Sequence, residues 1–259
     1  MTWLALASVI LLAGCTQTAV REDTSAVPVS EQPAVGEAQK RAKVHTDLGL
    51  AYYDSKGMAI ALEEARKAIA ADAGYSPAYN LLALVHMYLM ENGLAEQAFR
   101  KALSIAPNDP ETNNNYGWFL CTSGREKEGI ERLMSAVKNP LYATPTKPFT
   151  NAGLCSLRLK DETAAAEYFK RAAAADERNA QALYHLASLS FQRGDFLEAQ
   201  RLISAVHDVQ EPNAESLWLA LRIERKLGDQ AAESKFANQL RKGFAGSKEQ
   251  QMLIRGQFE

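Results

Sequence analysis

Seven side chains in this chain have the intrinsic chemistry of ligands or nucleophiles: Cys15, Cys121, Cys155, His45, His86, His185 and His207. A zinc site needs such residues paired closely in sequence, as Cys-x-x-Cys or as two histidines one helical turn apart. No histidine here stands three or four residues from another, and no Cys-x-x-Cys occurs. There is also no Gly-x-Ser-x-Gly nucleophile turn, no phosphate-cradling glycine loop and no carboxylate pair in an apolar setting. These absences point away from an enzyme, a metal site and a small-molecule substrate. The composition, 47% hydrophobic and 23% charged, is that of an ordinary globular protein. A net charge of −2 argues against nucleic acid as a partner, which would call for a basic face.

Cys15 closes an uncharged apolar run, "TWLALASVILLAGC". Its apolar part, Trp3 to Ala13, is too short for a permanent membrane-spanning helix and has the length of a signal-peptide core. Leu12-Ala13-Gly14-Cys15 resembles the lipobox of bacterial lipoproteins, although no Lys or Arg precedes the run. That likeness implies a signal peptide over 1–14, a covalent lipid on Cys15 as the sole added group, and a membrane attachment through it. The mature chain would then face an oxidising periplasm. Thr16 and Gln17 follow the cysteine, a pattern similar to that of lipoproteins sent to the outer membrane. Residues 16–40 hold no aromatic side chain, two prolines and mixed charges, so 15–41 is expected to be a lipidated cysteine and flexible tether.

The remaining chain repeats itself. Units start at 42, 76, 110, 146, 180 and 214, in steps of 34, 34, 36, 34 and 34 residues. Small residues recur at the eighth position (Gly49, Ala83, Gly117, Gly153, Ala187, then Leu221) and at the twentieth (Ala61, Ala95, Gly129, Ala165, Ala199, then Glu233). Bulky side chains such as Phe99, Leu133, Phe169 and Ile203 mark the twenty-fourth. Small residues let two helices of a hairpin approach closely, and the bulky one fills the space toward the next hairpin. This pattern resembles the tetratricopeptide repeat. It predicts an all-α fold: a right-handed superhelix of six helix-turn-helix repeats over 42–247, with the turns near Gly57, Gly93, Gly124, Gly194 and Gly228. The step of 36 marks an insertion, "KNPLYATPTKP", whose prolines must stop the preceding helix. Ser247 with Gln250 forms a capping-box pattern, so a short capping helix is expected within 248–259.

That array positions the other two cysteines and a groove. Cys121 and Cys155 fall on the first helices of the third and fourth units, at positions about 200° apart around a helix. One can face the neighbour that the other faces in return, which favours a disulfide in the periplasm; two buried free thiols are the alternative. In a tetratricopeptide superhelix the first helices line the concave side. Leu50, Tyr53, Asn80, Leu84, Met87, Tyr88, Asn114 and Trp118 hold the inward positions of the first three units. The expectation is a groove in which two amides bond the backbone of an extended peptide and the apolar side chains take its side chains. The stretch "NNNYGWFLC" therefore begins a helix, with Pro110 at its start.

With "NNYGWFLC", "NPLYATP", "NAGLCSLR" and "AAEYFKRAA" on a lipobox start, the chain resembles the type IV pilus biogenesis and stability lipoprotein family (PilF/PilW). The likeness covers nearly the whole repeat region. It implies a non-enzymatic outer-membrane scaffold, facing the periplasm, that binds the secretin or another pilus assembly component and supports secretin localisation or multimerisation. A lipoprotein regulating another envelope machine, such as peptidoglycan synthesis, is the alternative.

Overall fold

Close packing at the small positions dictates the architecture. A Cβ built on Gly117 would lie 2.7 Å from Leu133 Cγ and 2.9 Å from the Gly129 carbonyl oxygen. One built on Gly129 would lie 2.5 Å from Cys121 Sγ and 2.7 Å from the Gly117 carbonyl oxygen. Two backbones meet here with no room for a methyl group, which forces a tight antiparallel hairpin.

In a computed structural model, residues 27–138, 142 and 144–258 are described. They form six such hairpins: α1 (Gly36–Asp54) with α2 (Met58–Ala71), α3 (Ser76–Tyr88) with α4 (Asn92–Ile105), and α5 (Pro110–Thr122) with α6 (Glu126–Ala136). The others are α7 (Thr146–Arg158) with α8 (Glu162–Ala175), α9 (Ala180–Gln192) with α10 (Phe196–Val209), and α11 (Ala214–Leu227) with α12 (Gln230–Gly243). A final helix, α13 (Lys248–Arg255), packs on α11 and α12. No strand occurs among the described residues. The chain is an all-α array of tetratricopeptide repeats.

Helix starts follow the sequence chemistry. Asp109, Asp161, Asn179, Asp195, Asn213 and Asp229 each cap a helix by accepting from the backbone N–H three residues on, a contribution of about 1 kcal/mol apiece. Ser247 caps α13 in the same way. Gln250 reaches back to the Gly246 N–H and not to that of Ser247, so the box is shifted by one residue.

The first two turns fall where expected, at residues 55–57 ending on Gly57, the cap of α2, and just before Gly93, which lies inside α4; neither glycine supplies the left-handed residue. The left-handed residues are instead Lys56, Met90 and, in the fourth hairpin, Lys160, with φ of 61–65°. Gly124, Gly194 and Gly228 hold that conformation in the other three. The segment expected as a tether over 15–41 is also partly built into the fold. Val29–Glu31 form one 3-10 turn, and α1 already starts at Gly36. The Val29 N–H donates to Asp109 Oδ1 at 2.9 Å, Lys43 Nζ donates to the Ser30 carbonyl, and Pro28 is buried. Val29 packs on Ala42, Ala68, Tyr75 and Ala78. A polar average over the segment conceals these two apolar residues. Cys15, the apolar run before it and residues 16–26 lie outside the described residues.

Candidate partner-binding groove

Odd-numbered helices touch their odd-numbered neighbours: α1 with α3, α3 with α5, α5 with α7, and α9 with α11. They follow the tighter, inner curve of the stack, and the even-numbered helices lie outside. The inner face of α1, α3 and α5 divides into three bands.

Toward the C-terminal ends of these helices lies an apolar band. Tyr53 and Tyr88 meet edge-on, with ring centroids 6.3 Å apart at 77°. Lys56 Nζ stands 5.3 Å from the Tyr88 ring centre. Tyr88 is 47% exposed, and Leu50, Tyr53, Leu84, Met87 and Trp118 are half-buried. Burial, and then the neighbouring Asp54 carboxylate, raises the Tyr53 phenol above its ordinary range, so this hydroxyl stays neutral.

The middle band is a ladder of amides. Asn151 Nδ2 donates to Asn114 Oδ1 at 3.0 Å, Asn114 Nδ2 to Asn115 Oδ1 at 3.1 Å, and Asn115 Nδ2 to Asn80 Oδ1 at 3.3 Å. The ladder crosses from α7 through α5 to α3. Asn80 and Asn114 are 7% and 6% exposed. Their role therefore differs in part from the expected one: both ends of the Asn114 amide and the Asn80 Oδ1 brace neighbouring helices. Asn115 and Asn151 escape a sequence reading. Their pairing with Asn114 and Asn80 depends on the twist between hairpins, which no residue spacing states.

The third band lies at the N-terminal ends, where Asp109 holds Val29. Glu111 has its carboxyl raised, chiefly by burial and opposed by Lys147; Asp109 and Glu31 add repulsion, and a hydrogen bond from Asn115 works against it. Beside the ladder, Cys121 of α5 and Cys155 of α7 form a disulfide with Cα atoms 5.7 Å apart.

At the far end of the inner face the sixth unit presents Trp218, Arg222 and Arg225, at the inward positions where the third unit carries Asn114, Trp118 and Cys121. Phe258 lies on them. Its ring stacks on Trp218 with centroids 5.6 Å apart at 22°, the Arg225 guanidinium sits 4.0 Å from its centre, and Arg222 Nε donates to its carbonyl at 2.9 Å. Arg222 also lies 4.5 Å over the Phe191 ring and makes no ion pair among the described residues. Burial pulls its pKa below the usual guanidinium value.

The histidines serve the scaffold. His45 and His86 bond Glu64 and Glu91 at 2.6 Å each, and His185 stacks on Phe169 with centroids 4.8 Å apart. Among the described residues no group of three or more His, Cys, Asp or Glu could hold a metal ion. No described helix is long and apolar enough to cross a membrane.

Comparison with known proteins gives this geometry a family. Residues 76–109 match the tetratricopeptide repeat. The type IV pilus assembly protein PilF of Pseudomonas aeruginosa is 30% identical over 207 residues, which span 80% of this chain and 82% of that protein. A solved structure from the functional characterisation of Pseudomonas aeruginosa PilF superposes with a TM-score of 0.78 at 28% identity, covering 85% of this chain and 99% of that one. That of PilW, described as a widely conserved type IV pilus biogenesis factor, gives 0.74 at 30% identity, covering 82% and 98%. With identity and hairpin stack both shared over most of each chain, this protein belongs to the PilF/PilW family of type IV pilus tetratricopeptide-repeat proteins.

Proposed function

We propose that this protein is a non-enzymatic scaffold for type IV pilus biogenesis, anchored by a lipid on Cys15 to the outer membrane and facing the periplasm. Its inner face binds a segment of the secretin or of another pilus assembly component and so supports secretin localisation or multimerisation. The observation that carries the binding role is the exposed apolar band on α1, α3 and α5. Tyr88 is 47% exposed and meets Tyr53 edge-on, and Met87 and Trp118 are half-buried at inward positions of the repeats. Aromatic side chains in a hollow supply most of the energy of a typical protein interface, because they bury large area at small entropic loss. The family membership of the chain supplies the pilus context.

The test is the pair Tyr88→Ala with Trp118→Ala. Tyr88 is exposed, whereas Trp118 also packs on the cluster of Cys121, Leu133, Ala152 and Cys155, so the single Tyr88→Ala variant and circular dichroism of the pair control for folding. Loss of secretin from a pull-down of detergent-solubilised envelope, with loss of secretin multimers, is the expected outcome. Normal pili and normal multimers in that variant would remove the groove from the account. Recovery of a cell-wall synthase in place of secretin would favour the peptidoglycan alternative.

A further inference from the structure

The apolar band and the sixth unit lie apart on one inner face, and among the described residues the chain's own tail lies on the sixth unit. Beyond α13 the chain reverses at Gly256, which takes a left-handed φ of 64°, and lays Phe258 onto α11. Three features make this a built recognition site and not incidental packing. Its residues occupy positions 5, 9 and 12 of the sixth unit, on the inner face of the stack, and Arg225 is exposed there. The ring is held on two sides, by the Trp218 indole and by the Arg225 guanidinium, the pairing of stacking and cation–π contact that makes Trp and Arg frequent anchors at interfaces. The Arg222 guanidinium is half-buried, without a carboxylate among the described residues, and directs Nε at a backbone carbonyl. That last contact is to main chain, so it does not depend on which aromatic residue supplies the carbonyl.

The occupant is partly exposed. Gly256 and Gln257 are exposed and Phe258 is half-buried, with the Gln257 N–H donating to the Met252 carbonyl at 3.0 Å. Beside it, Arg222, Arg225, Lys226 and Met252 line a hollow of about 780 Å³. We propose that Trp218, Arg222 and Arg225 form a binding site for an aromatic side chain on an extended partner segment, and that the chain's own Phe258 fills this site in cis until such a segment displaces it. The site is separate from the band on α1, α3 and α5, so either can fail alone. A tail tethered by a few residues competes at an effective concentration in the millimolar range. The partner's apparent affinity falls in proportion to the fraction of sites the tail occupies.

The probe is a fluorescein-labelled peptide of residues 254–259, IRGQFE, titrated by fluorescence anisotropy into the full chain and into its Phe258→Ala variant. The variant should bind the peptide more tightly, by roughly tenfold or more if the tail occupies most sites. Adding Arg222→Ala to that variant, or replacing the peptide's Phe by Ala, should abolish binding. Equal or weaker binding by the variant, or undiminished binding after either of those two changes, overturns the proposal. Circular dichroism checks that the variant is folded. If it is not, the intact chain labelled with fluorophenylalanine at position 258 replaces it, read by fluorine NMR. Excess peptide should then move the Phe258 resonance toward its solvent-exposed position, and an unmoved resonance overturns the proposal equally.

Discussion

The junction between the third and fourth hairpins and the junction between the fourth and fifth hold the same kind of helix pair together by different means. Across the fourth, fifth and sixth hairpins runs one apolar cluster, from Ala165 and Phe169 through Leu186 and Ile203 to Ile223, and it carries most of the fourth-to-fifth junction beside two hydrogen bonds, Asn179 Nδ2 to Thr150 Oγ1 and Arg193 to the Glu162 carbonyl. At the third-to-fourth junction the apolar cluster shrinks to Cys121, Leu133, Ala152 and Cys155. There the links are a disulfide, the Asn151–Asn114 amide bond and an Arg158–Glu126 ion pair at 3.4 Å. This is also where the proline-rich insertion lengthens the period from 34 to 36 residues. A stack of repeats is stabilised mainly by contacts between neighbours. Where the insertion falls, a covalent link and directional polar bonds add to the packing. Apolar packing tolerates small shifts in register, whereas a disulfide and an amide ladder fix it.

The largest effect should come from breaking the packed junction. Phe169 is fully buried and its ring lies where a Cβ on Gly153 would come within 2.5 Å of it. Phe169→Ala should destabilise the C-terminal hairpins by about 3–5 kcal/mol, read from urea denaturation and from hydrogen exchange in α7 to α10. Added reductant should not change that increment, because the affected contacts are apolar.

The linked junction should respond in the opposite manner. Replacing both Cys121 and Cys155 by Ala removes the constraint on a loop of sequence separation 34. Stability should fall by ~3–4 kcal/mol, and dithiothreitol should reproduce the loss in the wild-type chain. Exchange should rise in α5 and α7 while α9 and α11 stay protected. A uniform rise along the whole array would mean that the two junctions are not distinct.

Asn114→Ala sharpens the comparison. It leaves Asn151 Nδ2 and Asn115 Oδ1 without the partners they have now. A loss of about 1–2 kcal/mol is expected, the net worth of two hydrogen bonds, because Asn115 and Asn151 are half-buried and can turn partly to water. Asn80→Ala removes only the last acceptor of the ladder and should be milder.

The two junctions also differ in how much of them sequence could reveal. The repeat fold is legible because close packing tolerates only small residues at two positions, and Gly117, Gly129 and Gly153 carry that signal without help from context. Facing cysteines on α5 and α7 follow from the same register. The amide ladder does not. Asn80 and Asn114 are recognisable as inward residues, but whether such amides face solvent or each other depends on the twist between hairpins. The docking of Val29 on Asp109 and of Phe258 on Trp218 is less visible still. Each rests on one or two apolar residues in a polar segment, meeting a surface distant in sequence. Such contacts leave no periodicity.

The smallest predicted effect separates the hairpin turns from the junctions altogether. Three turns place Gly124, Gly194 and Gly228 in the left-handed region, and three place Lys56, Met90 and Lys160 there. An L-residue with a Cβ loses roughly 1–2 kcal/mol in that conformation, and glycine does not. Glycine in turn gives the unfolded chain more entropy to lose, by about 0.5–1 kcal/mol. The balance favours Met90→Gly and Lys160→Gly by a few tenths to about 1 kcal/mol, and Gly194→Ala should destabilise by a similar amount. Met90 suits the measurement because it is 79% exposed and its side chain has little packing to lose. Lys160 closes the hairpin of α7 and α8, beside the disulfide junction, whereas Met90 closes that of α3 and α4. Equal increments at the two sites, with wild-type sensitivity to reductant in both variants, would show that turn strain is local and that the junctions alone set the cooperativity of the array.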